Sequence, residues 1–374
     1  MKKYQAMLIG KILCYCLLML WSSAYSERLS AEEAKQDSTE EKRGGLVGIP
    51  FLFYTPETKI AAGGAVNYYF REPGSEVTSR PSTIEPSIIY TQRKQLEISL
   101  DADLYWKDEA YHLIGAARHI KFPDLFYGIG HNTSEDDEEE YTHRTTEFQL
   151  TFLKRVRPGL YLGVLYEFKH SKIIEREENG LLAGGDIPGS EGGAAAGAGV
   201  TVNWDTRDNI FSTTSGSFYQ LSANLFGNSL GSDYEFNECT LDFRHYLPVF
   251  CSHILAFQTY LNFMTGHPPY HSLSLFGGQD LMRGHYRGRY RDKIMMAFQM
   301  EYRMPVWWRL GLVGFAGCGD VAGEMGHLEL RTFKYSLGWG VRYELVRAEK
   351  INLRLDIGFG GDSVLLYANM LEAF

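Results

Sequence analysis

From Leu46 to Phe374 the chain alternates apolar and polar residues with a period of two, and this pattern constrains its fold more than any other feature. In "QLEISLDADLYW", Leu96, Ile98, Leu100, Ala102, Leu104 and Trp106 share one face, while Glu97, Ser99, Asp101 and Asp103 share the other. A helix would scatter both sets around its axis, whereas a strand separates them. The separation recurs in "MMAFQMEYRM", where Met296, Phe298, Met300 and Tyr302 oppose Gln299, Glu301 and Arg303. It recurs in "INLRLDIGF", where Asn352, Arg354 and Asp356 oppose Ile351, Leu353, Leu355 and Ile357. Many runs are about ten to thirteen residues long, which suits a tilted membrane crossing better than a soluble sandwich, whose strands are usually nearer five or six. The expected fold class is therefore all-β, a transmembrane antiparallel β-barrel of about 16 strands.

Composition removes the helical alternative. Hydrophobic residues are 44% and charged residues 22% of the chain, and beyond the N-terminus no apolar stretch approaches the ~18 residues a spanning helix needs. Aromatics at 14% and 39 glycines favour strands and tight turns.

The N-terminus predicts export. Lys2 and Lys3 precede an apolar stretch from Met7 to Trp21, and Ala24-Tyr25-Ser26 offers the small residues a signal peptidase reads, so residues 1–26 read as a signal peptide. Residues 27–45, "ERLSAEEAKQDSTEEKRGG", show no apolar periodicity and read as a polar, disordered linker, with no room for a folded domain ahead of a barrel over 46–374. Cys14 and Cys16 would leave with the signal. Cys239, Cys251 and Cys318 lack C-x-x-C spacing and suggest neither a disulfide framework nor a zinc site.

An even strand count puts both barrel ends on the periplasmic side. The connections "KDE", "RPG", "VWWR" and "RAEK" then become short periplasmic turns, with longer exceptions at 71–82 and 205–215. Residues 120–142, 171–192 and 265–293 become outer loops. The last of these contains "LFGGQDLMRGHYRGRYRDK", which concentrates Arg283, Arg287, Arg289 and Arg291 in one glycine-rich segment. Such charge would be costly against lipid, but in a polar lumen it can form bidentate hydrogen bonds with carboxylates.

The stretch "GGQDLMRGHYRGRYRD" closely resembles the sixth-loop motif of the bacterial surface antigen family, the outer-membrane barrels related to BamA and TamA. The turn "WDTRDNIFSTTSGSF", with Asp205, Arg207, Asp208 and Asn209, resembles the family's Asp-x-Arg-Asp-Asn turn and its strand-starting glycine. The likeness continues through "MEYRMPV" and "GFAGCGDVAG" to Phe374, which stands as the terminal barrel signal. The resemblance implies that the sixth loop folds into the lumen, with Arg283, Gly284 and Tyr286 forming a latch on Glu301, although His285 intervenes before Tyr286. The family's Phe-x-Asp-x-Gly appears here as Phe315-Ala316-Gly317-Cys318-Gly319, so the expected aspartate is missing and Asp320 or Asp356 are the alternative acids.

Blander readings stand beside these. Arg287, Arg289 and Arg291 suit equally a surface loop near anionic lipopolysaccharide, and Asp205, Arg207 and Asp208 suit a hydrogen-bonded turn. The acidic run 135–140, "EDDEEE", reads as a solvated outer loop, with a divalent-cation site as the weaker alternative. "GNSLG" at 227–231 matches G-x-S-x-G but lacks strand-turn-helix context, and His267 and His271 lie in a loop without helical spacing. No catalytic residue, metal, cofactor or nucleic-acid partner is expected, and the chain does not read as an enzyme.

Function follows the resemblance. It implies an outer-membrane protein of a Gram-negative-type bacterium that inserts or translocates polypeptides through a weak seam between first and last strands. Its partners would be outer-membrane lipid and lipopolysaccharide, with periplasmic chaperones or client polypeptides. Relatives recruit clients with periplasmic POTRA domains, which the linker does not accommodate, so two readings stay open. One is a minimal assembly or translocation barrel; the other is a passive structural or channel-forming surface protein. Pro50 in the first run and Glu372 near Phe374 fit a weak seam. They equally fit a shortened first strand and a glutamate reaching periplasmic water.

Overall fold

A computed structural model describes residues 44–73, 80–250, 252–346, 350–361 and 363–374. The expected signal peptide, almost all of the linker and Cys251 lie outside the described residues. Sixteen antiparallel strands close into a barrel. The first eight are β1 (Gly44–Thr55), β2 (Lys59–Phe70), β3 (Ser82–Thr91), β4 (Leu96–Trp106), β5 (Tyr111–Phe126), β6 (Glu139–Arg157), β7 (Leu160–Arg176) and β8 (Gly193–Asp205). Then come β9 (Gly216–Phe226), β10 (Phe236–Pro248) and β11 (Ile254–Gly266). The loop after β11 carries a short ribbon, β12 (Ser274–Phe276) with β13 (Tyr290–Asp292), which stays out of the barrel order. The wall resumes with β14 (Ile294–Trp307), β15 (Leu310–Ala322), β16 (Lys334–Val346), β17 (Ile351–Gly360) and β18 (Ser363–Met370).

Burial along the strands is inverted relative to a water-soluble protein. On β14, Phe298 and Met300 are 38% and 42% exposed while their polar neighbour Glu301 is 0% exposed. An apolar outer band with charged side chains sealed inside is what lipid outside and a polar interior require. Trp307 and Trp308 stand exposed at the turn joining β14 to β15, where an aromatic ring suits the boundary between lipid and water.

Three strands are longer than the sequence suggests. β5, β6 and β7 run for 16, 19 and 17 residues, beyond the ~9–11 a crossing needs. The loops expected at 120–142 and 171–192 therefore shrink to 127–138 and 177–192. The extension is held by an apolar cluster of Phe126, Tyr141, Leu182, Tyr270 and Leu273, whose members come from separate segments and show no local period. The acidic run is correspondingly not all solvated: Glu139 is buried in β6 and accepts the Leu182 N–H at 3.1 Å.

Candidate functional site

Arg283 sits at the centre of a buried charge cluster on the polar face of the wall. The preceding residues give it a fixed base: Met282 is fully buried and its N–H donates to Gln299 Oε1 at 3.2 Å. Gly284 follows with φ +109, and a Cβ there would lie 2.6 Å from the Phe359 carbonyl carbon, so only glycine lets the loop press onto β17. Gly284 N–H donates to the Tyr367 hydroxyl (3.1 Å), and its carbonyl accepts from Ser363 (2.5 Å). The Ser336 hydroxyl donates to the Arg283 carbonyl, and His285 Nε2 donates to the Tyr335 carbonyl at 3.0 Å.

The guanidinium of Arg283 is 1% exposed and meets two carboxylates, donating through Nη2 to Glu301 and through Nη1 to Asp356 Oδ2 at 2.5 Å. It lies 3.7 Å from the Phe315 ring centre. Each acid is shared with a second arginine: Glu301 Oε2 accepts from Arg303 Nε (2.8 Å), and Asp356 Oδ1 from Arg342 Nη1 (2.5 Å). Both chains end on the segment after β18. Arg342 Nε donates to Glu372 (2.7 Å), and Arg303 Nη2 donates to the Phe374 carbonyl (2.7 Å). Buried charges persist only when paired and hydrogen-bonded in this way.

Of the two alternative acids, Asp356 joins the cluster and Asp320 does not. Asp320 pairs with Lys334 at 2.7 Å. It stands opposite Met296 on β14, five residues from Glu301, or roughly 16 Å along a strand, beyond the reach of Arg283. Tyr286 also stands apart from the cluster: its hydroxyl faces Asp124 at 3.5 Å and its ring lies edge-on to Tyr127. Of the three arginines read as a surface loop, Arg287 is exposed and fits that reading, Arg289 is half-buried against the loop before β6, and Arg291 does not fit it. Arg289 donates to the Thr133 hydroxyl (2.6 Å) and carbonyl (2.8 Å), while Arg291 is buried, donates to the Leu125 carbonyl (3.3 Å) and stacks near Phe126.

The sequence reading missed Arg303, Arg342 and the true setting of Glu372. Their signal was a charge on the polar face of an alternating run, which marks the face but names no partner. Glu372 does not reach water: its side chain is 4% exposed and also accepts from Asn352 Nδ2 at 2.7 Å. Phe374 is not in the last strand either. β18 stops at Met370, Leu371 takes φ +66, and Phe374 packs with Tyr246 and Ala256 on β10 and β11.

The turn after β8 is a stapled hairpin. Arg207 donates to the Asp205 carboxylate through Nε and Nη2, both at 2.9 Å, and stacks on Phe218. Asn209 Oδ1 accepts the Phe211 and Ser212 N–H groups at 2.8 and 2.9 Å, and Asp208 Oδ1 accepts those of Thr214 and Ser215 at 2.9 and 3.1 Å. Gly216, at φ +101, starts β9 where a Cβ would collide with the Thr206 carbonyl.

The barrel closes weakly. β1 opposes β2 from Gly44 to Thr55, and β17 opposes β18 from Leu353 to Gly360, but β1 and β18 share one opposed pair, Tyr54 with Ala368. One side of β1 from Gly44 to Phe53 thus lacks a ladder partner among the described residues, and Pro50 within it has no N–H to offer.

A lipid-facing antiparallel barrel with its charges turned inward and one thin seam is an outer-membrane β-barrel. Residues 78–360 match the Omp85 superfamily domain, and the chain belongs to that superfamily. Its fold is similar to that of Haemophilus ducreyi BamA lacking POTRA domains 1–3, with TM-score 0.61 and 13% identity over 89% of this chain and 71% of that one. CdiB from Acinetobacter baumannii gives 0.56 and 9%, and CdiB from Escherichia coli 0.55 and 8%, each over 89% of this chain. The chain spans 60% and 63% of those two proteins, less than two thirds of either. No match is found among curated proteins.

Proposed function

We propose that this protein is an outer-membrane assembly or translocation barrel that opens laterally between β1 and β18 and presents the edge of β1 to a polypeptide strand. The single opposed pair at the seam carries the reading. An edge with unpaired N–H and C=O groups templates an incoming strand, and one ladder pair costs far less to break than the eight between β17 and β18. The sixth loop serves as a latch inside the lumen, keeping the rest of the wall rigid through Arg283 while the seam moves. The pairing of Arg283 with Glu301 and Asp356 on the polar faces of β14 and β17, and the packing of Phe374 against β10 and β11, weigh against a wide open pore. Clients are unfolded polypeptides delivered from the periplasm by chaperones, and the barrel itself reaches the outer membrane after export on a cleaved signal peptide.

The test is a reversible lock. Extending the Tyr54–Ala368 register brings Leu52 opposite Met370, so Leu52→Cys with Met370→Cys, in a background with Cys239, Cys251 and Cys318 replaced, should staple the seam. The oxidised barrel should lose its ability to accelerate insertion of an unfolded barrel polypeptide into liposomes, and reductant should restore it. Full activity of the locked barrel would leave the passive surface-protein reading in its place.

A further inference from the structure

β1 departs from the alternation of strands such as β4 and β14. There one face is polar, as in Glu97, Ser99, Asp101 and Asp103 on β4 or Gln299, Glu301 and Arg303 on β14. On β1 the outward positions hold Leu46, Gly48, Pro50 and Leu52, and the alternate positions hold Val47, Ile49, Phe51 and Phe53. The second set faces the lumen. Phe51 and Phe53 stand opposite Gly63 and Ala61 of β2, whose face continues through the hydrogen bond from Asn67 to Glu85 (2.8 Å) and the Ser87–Ser99 pair (2.7 Å) into the polar interior.

The residues beneath these rings are small. Phe51 lies where a Cβ on Gly63 would be, 2.6 Å from its Cε2, and Ala61 and Ala65 are buried. The two rings sit 6.4 Å apart, and Val47, lower on the same face, is 48% exposed. This is an apolar wall inside a polar barrel, left partly uncovered. Its location decides what covers it. Because β1 lacks a ladder partner along its outer edge from Gly44 to Phe53, the lipid-facing side chains Leu46 and Leu52 are separated from Val47, Ile49, Phe51 and Phe53 by the width of one backbone edge and not by a neighbouring strand.

We propose that this wall is a hydrocarbon-binding site, and that an acyl chain of a membrane lipid passes through the gap beside β1 to lie along it. The hydrophobic effect drives an apolar surface to whatever apolar matter can reach it, and bilayer lipid lies just across the β1 edge from this one. The two occupants use different parts of β1: a client strand would pair with its backbone edge, whereas the acyl chain lies against its luminal side chains. The site rests on the seam geometry and not on client activity, so the lock experiment and the following one can fail separately.

The full chain, reconstituted into phosphatidylcholine and phosphatidylethanolamine vesicles containing a phospholipid with a diazirine along its acyl chain, is irradiated and its adducts mapped by mass spectrometry. The expected result is adducts on Val47, Ile49, Phe51 or Phe53 as well as on Leu46 and Leu52, with none on the polar wall of β14. Phe51→Asn with Phe53→Asn should reduce adducts at Val47 and Ile49 several-fold while outward adducts and folded migration on gels stay unchanged. Oxidising the Leu52→Cys/Met370→Cys barrel should remove the luminal adducts. Labelling confined to outward residues, labelling of the β14 polar wall at equal yield, or luminal labelling that survives the lock would each overturn the proposal.

Discussion

A guanidinium keeps its charge where water cannot follow, so burying Arg283 commits the protein to supplying counter-charges in place. Glu301 and Asp356 do so, each tied to a second arginine, and removing one member strands the others. Arg283→Ala should therefore lower unfolding stability in detergent by about 3 kcal/mol. A cycle with Asp356→Ala, measured by urea titration, should show coupling above about 0.5 kcal/mol. Additive losses would mean that the two side chains do not share an interaction, and a cycle with Asp320→Ala should be additive. Asp208, in the turn after β8, gives a second test at this scale. Burial alone would raise its pKa, but the Thr214 hydroxyl, the Thr214 and Ser215 N–H groups and Lys350 outweigh burial and bring it from 3.8 down to about 2. A carboxyl depressed on folding contributes stability above its unfolded value of 3.8 and loses it as pH falls through about 2. The stability gap between wild type and Asp208→Asn should thus be full at pH 5 and shrink toward pH 2. A gap that stays constant would show that the staple does not act through the charge.

Among the elements, β16 is where small residues decide what their neighbours can do. Gly338 and Gly340 alternate on its polar face, and a Cβ on the first would overlap the Phe315 ring and on the second the Asp356 carboxylate. The stretch "GWGVR" therefore clears room on one strand for an aromatic and an acid belonging to the strands on either side. Overpacking such a site typically costs about 1 to 3 kcal/mol. Gly340→Ala should lose stability in that range, and much less so in an Asp356→Ala background, where there is no carboxylate to displace. Equal losses in both backgrounds would trace the effect to the Leu355 carbonyl, 2.7 Å from the added carbon, rather than to the charge cluster. The strands themselves were legible because side-chain alternation is a local property. The expected run at 59–70 matches β2, and 83–91, 95–106 and 350–360 fall within a residue of β3, β4 and β17. The extensions of β5, β6 and β7 were not legible, because distant residues such as Tyr270 and Leu182 hold them.

At the scale of the whole molecule, closure gives every strand an extended ladder on both sides except at the seam between β1 and β18, and such a barrel resists detergent and protease until heated. Outer-membrane preparations should contain a species that migrates faster unheated than boiled and keeps a protease-resistant core. Recovery of the protein as a soluble periplasmic species would contradict the fold. Stapling the seam should raise the temperature at which the fast form disappears, since opening there is the least costly route into the wall. The amino-acid sequence by itself determined the class of fold, the polar and apolar faces and the strand count, which follow from local alternation, turn chemistry and the cost of charge in lipid. The choice of Arg283 among the loop's arginines came from the motif's resemblance to the surface antigen family. The tertiary structure alone decided that Arg283 meets Asp356 as well as the expected Glu301 but not Asp320, and that residues 371–374 turn inward to Arg303 and Arg342. Each of those choices depends on the register of strands far apart in the chain, and a one-residue slip would turn the same side chain from the interior to the lipid.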